Sequence, residues 1–163
     1  MLHYVRTLCF LAACCGFSLT ASAQLQFGGG AALGVDFNEF GVQARGQYGF
    51  TETWRGGADF TYYFTEENIS AFEINANAHY VFSDDGEGRK FYALGGLNYL
   101  RYSVDIPDLG FLGVEIDNSA SDVGLNLGAG ANIPLGNLVG YGEIKYAAGG
   151  AQFGIAAGIL FGG

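Results

Sequence analysis

Between Ala151 and Phe161 the chain changes character at every step. Phe153, Ile155, Ala157, Ile159 and Phe161 fall on one side, and Gln152, Gly154, Ala156 and Gly158 on the other. Successive side chains of a β-strand point to opposite faces, so this is a strand with one oily face and one small or polar face. A tilted strand of about eleven residues is also what a bilayer crossing requires. The alternation recurs over roughly 25–37, 39–50, 54–64, 71–82, 90–106, 122–133, 138–148 and 151–161, eight segments in all. Beyond the first two dozen positions no apolar run reaches the roughly eighteen residues of a spanning helix. The architecture is therefore written in sheet.

The first residues read as an address. Arg6 supplies a positive start, Leu8 to Leu19 an apolar stretch, and Ala21-Ser22-Ala23 a small-x-small cleavage pattern before Gln24. That predicts a secretory signal peptide over 1–23 and a mature domain over 24–163. Leu11-Ala12-Ala13-Cys14 also resembles a lipoprotein cleavage box, which would put a lipid on Cys14. The apolar core ahead of Cys14 is short for export, so cleavage after Ala23 is the reading adopted. Cys9, Cys14 and Cys15 all lie in this segment. The processed chain then has no thiol for disulfides, nucleophilic catalysis or metal binding.

Alternation alone does not say which face is outside, because a soluble barrel would turn its oily face inward. The residues of the other face decide it. Gln26, Gly28, Gly30, Ala32 and Gly34, then Gly41, Gln43, Arg45, Gln47 and Gly49, then Gly124, Asn126, Gly128, Gly130 and Asn132 make a surface of glycine and amide. A water-facing surface is normally about a quarter to a third charged. Small residues suit instead the crowded interior of a narrow barrel. On the oily face, aromatics gather at strand ends: Phe27 and Phe37, Phe40 and Phe50, Trp54 and Phe64, Phe72 and Phe82, Tyr92 and Tyr102. Two aromatic rings about an aliphatic belt are the girdles of a membrane barrel. The fold class expected is all-β, an eight-stranded antiparallel up-and-down transmembrane β-barrel.

With the signal ending Ala-Ser-Ala, the eight alternating strands and the terminal strand Phe153-x-Ile155-x-Ala157-x-Ile159-x-Phe161, the chain resembles the small outer-membrane β-barrel proteins of Gram-negative bacteria, the OmpA/OmpX-like porin superfamily. The resemblance implies an integral outer-membrane location with periplasmic termini. It also implies outer-membrane lipid and lipopolysaccharide as surroundings, and delivery by the barrel-assembly machinery, which would read the terminal strand. Gly162-Gly163 follow the aromatic where the family often ends on Phe itself. The family's peptidoglycan-binding domain has no counterpart here, so cell-wall anchoring is not carried over.

Candidate chemistry is sparse. His79 is the sole histidine after the signal, on the small-residue face. A lipid-modifying enzyme would need a nucleophile within hydrogen-bond reach of it, and Ser103, Ser119 and Ser121 lie toward the other end. Gly28 to Gly34 lacks the spacing of a dinucleotide loop and opens no helix. Asp117 to Asp122 places oxygens at alternate positions but lacks the glycine and distal glutamate of a calcium hand. The outer connections and strand ends carry Asp36, Glu39, Glu66, Glu67, Asp105, Asp108, Glu115, Asp117 and Asp122 with no Lys or Arg among them. A solvated acidic rim is the simplest account, with cation bridging to lipopolysaccharide phosphates as the sharper one. Phe111-Leu112-Gly113-Val114, in the longest connection, is a candidate for contact with a partner edge.

The interior is expected to hold Arg45, Arg55, Asp59, Tyr63, Glu73, Tyr99, Arg101, Glu143 and Lys145. If Thr51-Glu52-Thr53 is a turn, Phe50 faces Trp54, and counting back sets Arg45 opposite Asp59. A turn over Ser83–Arg89 with Phe82 facing Tyr92 sets Glu73 opposite Arg101. Both would be structural ion pairs across neighbouring strands. No catalytic residue, cofactor, metal or nucleic-acid partner is expected of this chain of net charge −9. The reading is a monomeric, non-enzymatic barrel with a plugged lumen and a structural or surface-interaction role. The alternatives are a narrow low-conductance pore for small solutes and a lipid A-modifying enzyme.

Overall fold

The computed structural model describes residues 25–36, 38–65, 69–104, 119–148 and 152–162. Residues 1–23, predicted as a signal peptide, lie outside the described residues, as do Phe37, Glu66, Glu67 and the connection holding Asp105 to Asp117 with Phe111 to Val114. Eight strands follow in order: β1 Leu25–Gly34, β2 Glu39–Gly49, β3 Trp54–Phe64, β4 Ile69–Asp84, β5 Lys90–Val104, β6 Ser119–Leu135, β7 Leu138–Ala147 and β8 Gln152–Phe161. Each pairs antiparallel with the next, and β1 pairs with β8 to close the barrel. Closure leaves no open edge strand in the sheet of the described residues, which is how a sheet can stand in lipid.

The turns at the end carrying the termini are short and locally determined. Thr51 Oγ1 accepts from the backbone N–H of Trp54 at 2.9 Å, closing the β2–β3 turn. Gly136 takes φ +69° in the two-residue β6–β7 turn, a conformation that favours glycine. Pro134, expected in that connection, instead occupies the end of β6 opposite Val139.

Outward faces are oily, with Phe27 against Phe161 and Trp54 against Tyr80 at one end. Tyr62 meets Phe64 and Tyr146 meets Phe153 toward the other. Between these rings lie small residues, with Ala58 flanked in register by Gly46 and Ala76.

One strand departs from the expected facing. At the β4–β5 turn the register is as counted, with Ser83 opposite Phe91 and Asp84 opposite Lys90. Beyond it Val81 pairs with Tyr92, so Phe82 is an extra residue in a β-bulge. A one-residue slip moves a whole strand's side chains to the other face. Tyr92 and Leu94 are consequently buried inside, whereas Arg101 is exposed on the outward face and Tyr99 faces outward with it. Tyr102, expected among the outer aromatics, packs against the inner cluster of Ala32, Tyr63 and Ala71.

Glycine lets the β1–β8 seam close tightly. Gly30 and Gly158 are register partners, and a β-carbon on Gly30 would lie 2.1 Å from the Ala157 carbonyl oxygen. On Gly158 it would lie 2.2 Å from the Gly29 carbonyl oxygen. Alanine at either position must push backbone apart, and overpacking of this kind costs about 1–3 kcal/mol. Urea titration in lipid vesicles should show that loss for Gly158→Ala. A variant as stable as the parent would mean the seam is looser than drawn here.

Candidate functional site

Strands β2 to β7 send long polar side chains inward, while β1 and β8 present mostly glycine and alanine, leaving room for them. Arg45 on β2 and Asp59 on β3 are register partners, but their charges are satisfied elsewhere. Arg45 Nη2 reaches across the lumen to Glu143 Oε2 on β7 at 2.6 Å, with both side chains 1% exposed. Glu143 Oε2 also accepts from the Tyr92 hydroxyl at 3.0 Å, and the guanidinium lies 4.6 Å from the centre of the Tyr141 ring. Charge-assisted hydrogen bonds of this length are the strong ones, and here both side chains are shielded from bulk solvent.

A second centre forms around Lys145. Its Nζ lies 3.0 Å from Glu73 Oε1 and 3.6 Å from Asp59 Oδ1. Glu73 also accepts from the Tyr63 hydroxyl at 2.5 Å and from Asn98 Nδ2 at 2.6 Å. Asp59 Oδ1 accepts from Asn75 Nδ2 at 2.7 Å and from Gln43 Nε2 at 3.1 Å. Gln43 Oε1 in turn accepts from the Tyr141 hydroxyl at 2.8 Å, which joins the two centres. Asn126 Nδ2 donates to Asn75 Oδ1 and Asn77 Oδ1, extending the network to β6.

The expected Glu73–Arg101 pair is not formed. Glu73 stands opposite Leu100, and Arg101 stands on the outward face between Phe72 and Ser121. The bulge at Phe82 is the cause. The amides Gln43, Asn75, Asn98 and Asn126 were not expected as a connected set. Their signal was present, since Asn75 and Asn77 share the inward parity of His79 and Glu73.

His79 is fully buried, with its ring stacked on Tyr92 at 4.6 Å between centres and 11° between planes. Its two nitrogens have no hydrogen-bond partner among the described residues. Ser103 and Ser119 face each other toward the opposite end of the barrel. Neither serine is within hydrogen-bond reach of the imidazole.

No protein-family model and no curated protein matches the sequence. Solved structures do match in shape. The N-terminal β-barrel domain of Pseudomonas aeruginosa OprF aligns with a TM-score of 0.63 at 16% identity, covering 86% of this chain and 97% of that one. The attachment invasion locus protein Ail of Yersinia pestis, in complex with the heparin analogue sucrose octasulfate, aligns with a TM-score of 0.54 at 19% identity, covering 85% and 97%. Neisserial surface protein A aligns with a TM-score of 0.51 at 17% identity, covering 85% and 95%. The chain thus has the fold of the small outer-membrane β-barrels.

Proposed function

We propose that this chain is a monomeric integral outer-membrane protein, with periplasmic termini, that serves a structural or surface-interaction role. It is neither an enzyme nor a conduit. The observation supporting this reading is the network of Arg45, Glu143, Lys145, Glu73 and Asp59, whose buried ion pairs join facing strands across the lumen, as a plugged interior requires. Eight strands enclose a space that side chains can fill, and here they are long, charged and mutually bonded. Lipid and lipopolysaccharide are the surroundings proposed, with the barrel-assembly machinery acting during biogenesis.

The surface role draws support from the end away from the termini. There β5 and β6 pair as far as Ser103 and Ser119, whereas β6 pairs with β7 only from Asn126 opposite Ala147. Among the described residues the β5–β6 hairpin thus runs on past the last β6–β7 register pair, and its exposed stretch Ser121–Val123 is where an extended partner segment is proposed to meet it.

Purified, folded protein in planar bilayers is expected to pass no steady ionic current. Reproducible unit conductance would favour the narrow-pore reading instead. Single cysteines at Ser121 and Asn137 test orientation: an impermeant maleimide should label the first and spare the second in intact cells. The reverse pattern would overturn the periplasmic placement of the termini. Mass spectrometry of lipid A from deletion and overexpressing strains should show no change, and a modified species would revive the enzyme reading.

A further inference from the structure

The mouth at the end carrying the termini has a different character from the interior. We propose that it is a binding site for a small organic anion, one carboxylate or phosphate head beside a hydrogen-bond donor. A cavity of about 370 Å³ opens there, lined by the polar Arg55, Lys90, Asn132 and Gln26 together with the apolar Pro134 and Leu138. Small-molecule sites are typically about 300–1,000 Å³, mostly apolar, with a few placed polar groups.

Two buried side chains point to a ligand. Arg45 and Lys145 both have carboxylate partners, but Arg55, only 9% exposed, has none within ion-pair distance among the described residues. Asn132 is 2% exposed, and neither its Oδ1 nor its Nδ2 has a hydrogen-bond partner among the described residues. Buried amides in folded proteins are nearly always met by something, so both a donor and an acceptor are on offer here. Lys90 is the register partner of Asn132 and brings a second cation to the same rim, 3.3 Å from Asp84. Arg89, by contrast, lies out on the turn between Asp85 and Glu87.

The chemistry selects the ligand class. A guanidinium presents a planar fork that matches a carboxylate or a phosphate, and the ammonium of Lys90 adds a point charge to the same head. Asn132 Nδ2 can donate to the anion while Oδ1 accepts from an adjacent N–H or O–H, as in an acylated amino acid or a sugar phosphate. Pro134 and Leu138 would cover a short apolar portion.

The test is a nuclear magnetic resonance titration of the folded barrel in detergent micelles, in phosphate-free buffer. Inorganic phosphate and N-acetylalanine are added separately, and the side-chain amides of Asn132 and Gln26 are followed. Saturable shifts with either probe uphold the site, and the tighter probe identifies the head group. Arg55→Gln should weaken binding at least tenfold, whereas Arg89→Gln should leave it unchanged. Asn132→Leu, read on Gln26, should weaken it comparably and serves if the Arg55 variant does not fold. Shifts that never saturate overturn the proposal, as does equal weakening by Arg89→Gln, because both would report diffuse surface charge.

Discussion

Arg45→Ala is expected to destabilise the barrel by about 3–5 kcal/mol, the usual result of leaving one member of a buried ion pair uncompensated. The loss falls mainly on Glu143, which would keep only the Tyr92 hydroxyl at the oxygen now shared with Arg45. Glu143→Ala should be similarly harmful, because the guanidinium would keep the face of Tyr141 but no carboxylate within ion-pair distance among the described residues. Removing both charges in Arg45→Met/Glu143→Leu should recover much of the loss, since an apolar pair of similar volume leaves no buried charge. Urea unfolding in vesicles measures all three, and the double-mutant cycle isolates the coupling. Arg45 with Asp59 should couple more weakly than Arg45 with Glu143, although the first two are neighbours in the sheet. Strict additivity between Arg45 and Glu143 would remove the basis for the interior arrangement.

The second large effect is expected on the opposite face. Ala58 lies midway along β3, outward, between Gly46 and Ala76. Arginine there should cost about 2–4 kcal/mol, the usual range for a lipid-facing cation at the bilayer midplane. At Leu135, the last residue of β6, the same change should cost about 0–1 kcal/mol, because the side chain reaches the interface. A soluble barrel would show neither the penalty nor the dependence on depth, as surface substitutions usually stay within about 0.5 kcal/mol. Equal tolerance at both positions would argue against membrane insertion.

How far these arrangements could be read from the chain depends on the kind of information each needs. Facing along a regular strand needs only parity, and β2, β3, β7 and β8 turn the expected residues inward. Counting back from a turn adds neighbours in the sheet, which is why Arg45 and Asp59 come out opposite each other. The same count fails across β4 and β5, where it needs to know that Phe82 is unpaired. Alternation around Phe82 gives no warning, since an aromatic at that position suits a girdle as well as a bulge. The hint the sequence does hold is Asn98, a polar residue of opposite parity to Arg101 in the same strand. It could not share the lumen with Arg101 without a change of parity, and it is Asn98 that lies inside. Contacts across the lumen are illegible to this kind of reading. Arg45 and Glu143 are brought together by closure, and neither parity nor register measures a distance through the interior.

The β5–β6 hairpin has a mechanical consequence. A pull along the direction of its strands loads the ladder that ties β6 to β7, Asn126–Leu135 against Leu138–Ala147, in shear. All its rungs then share the force, instead of opening one at a time as in a peel from the side. From β5 the load passes into β4 over a still longer paired length, and so into the wall held by the membrane. The hairpin is thereby a tether stiff along its axis and compliant across it, able to pass tension into the wall without first unzipping the barrel.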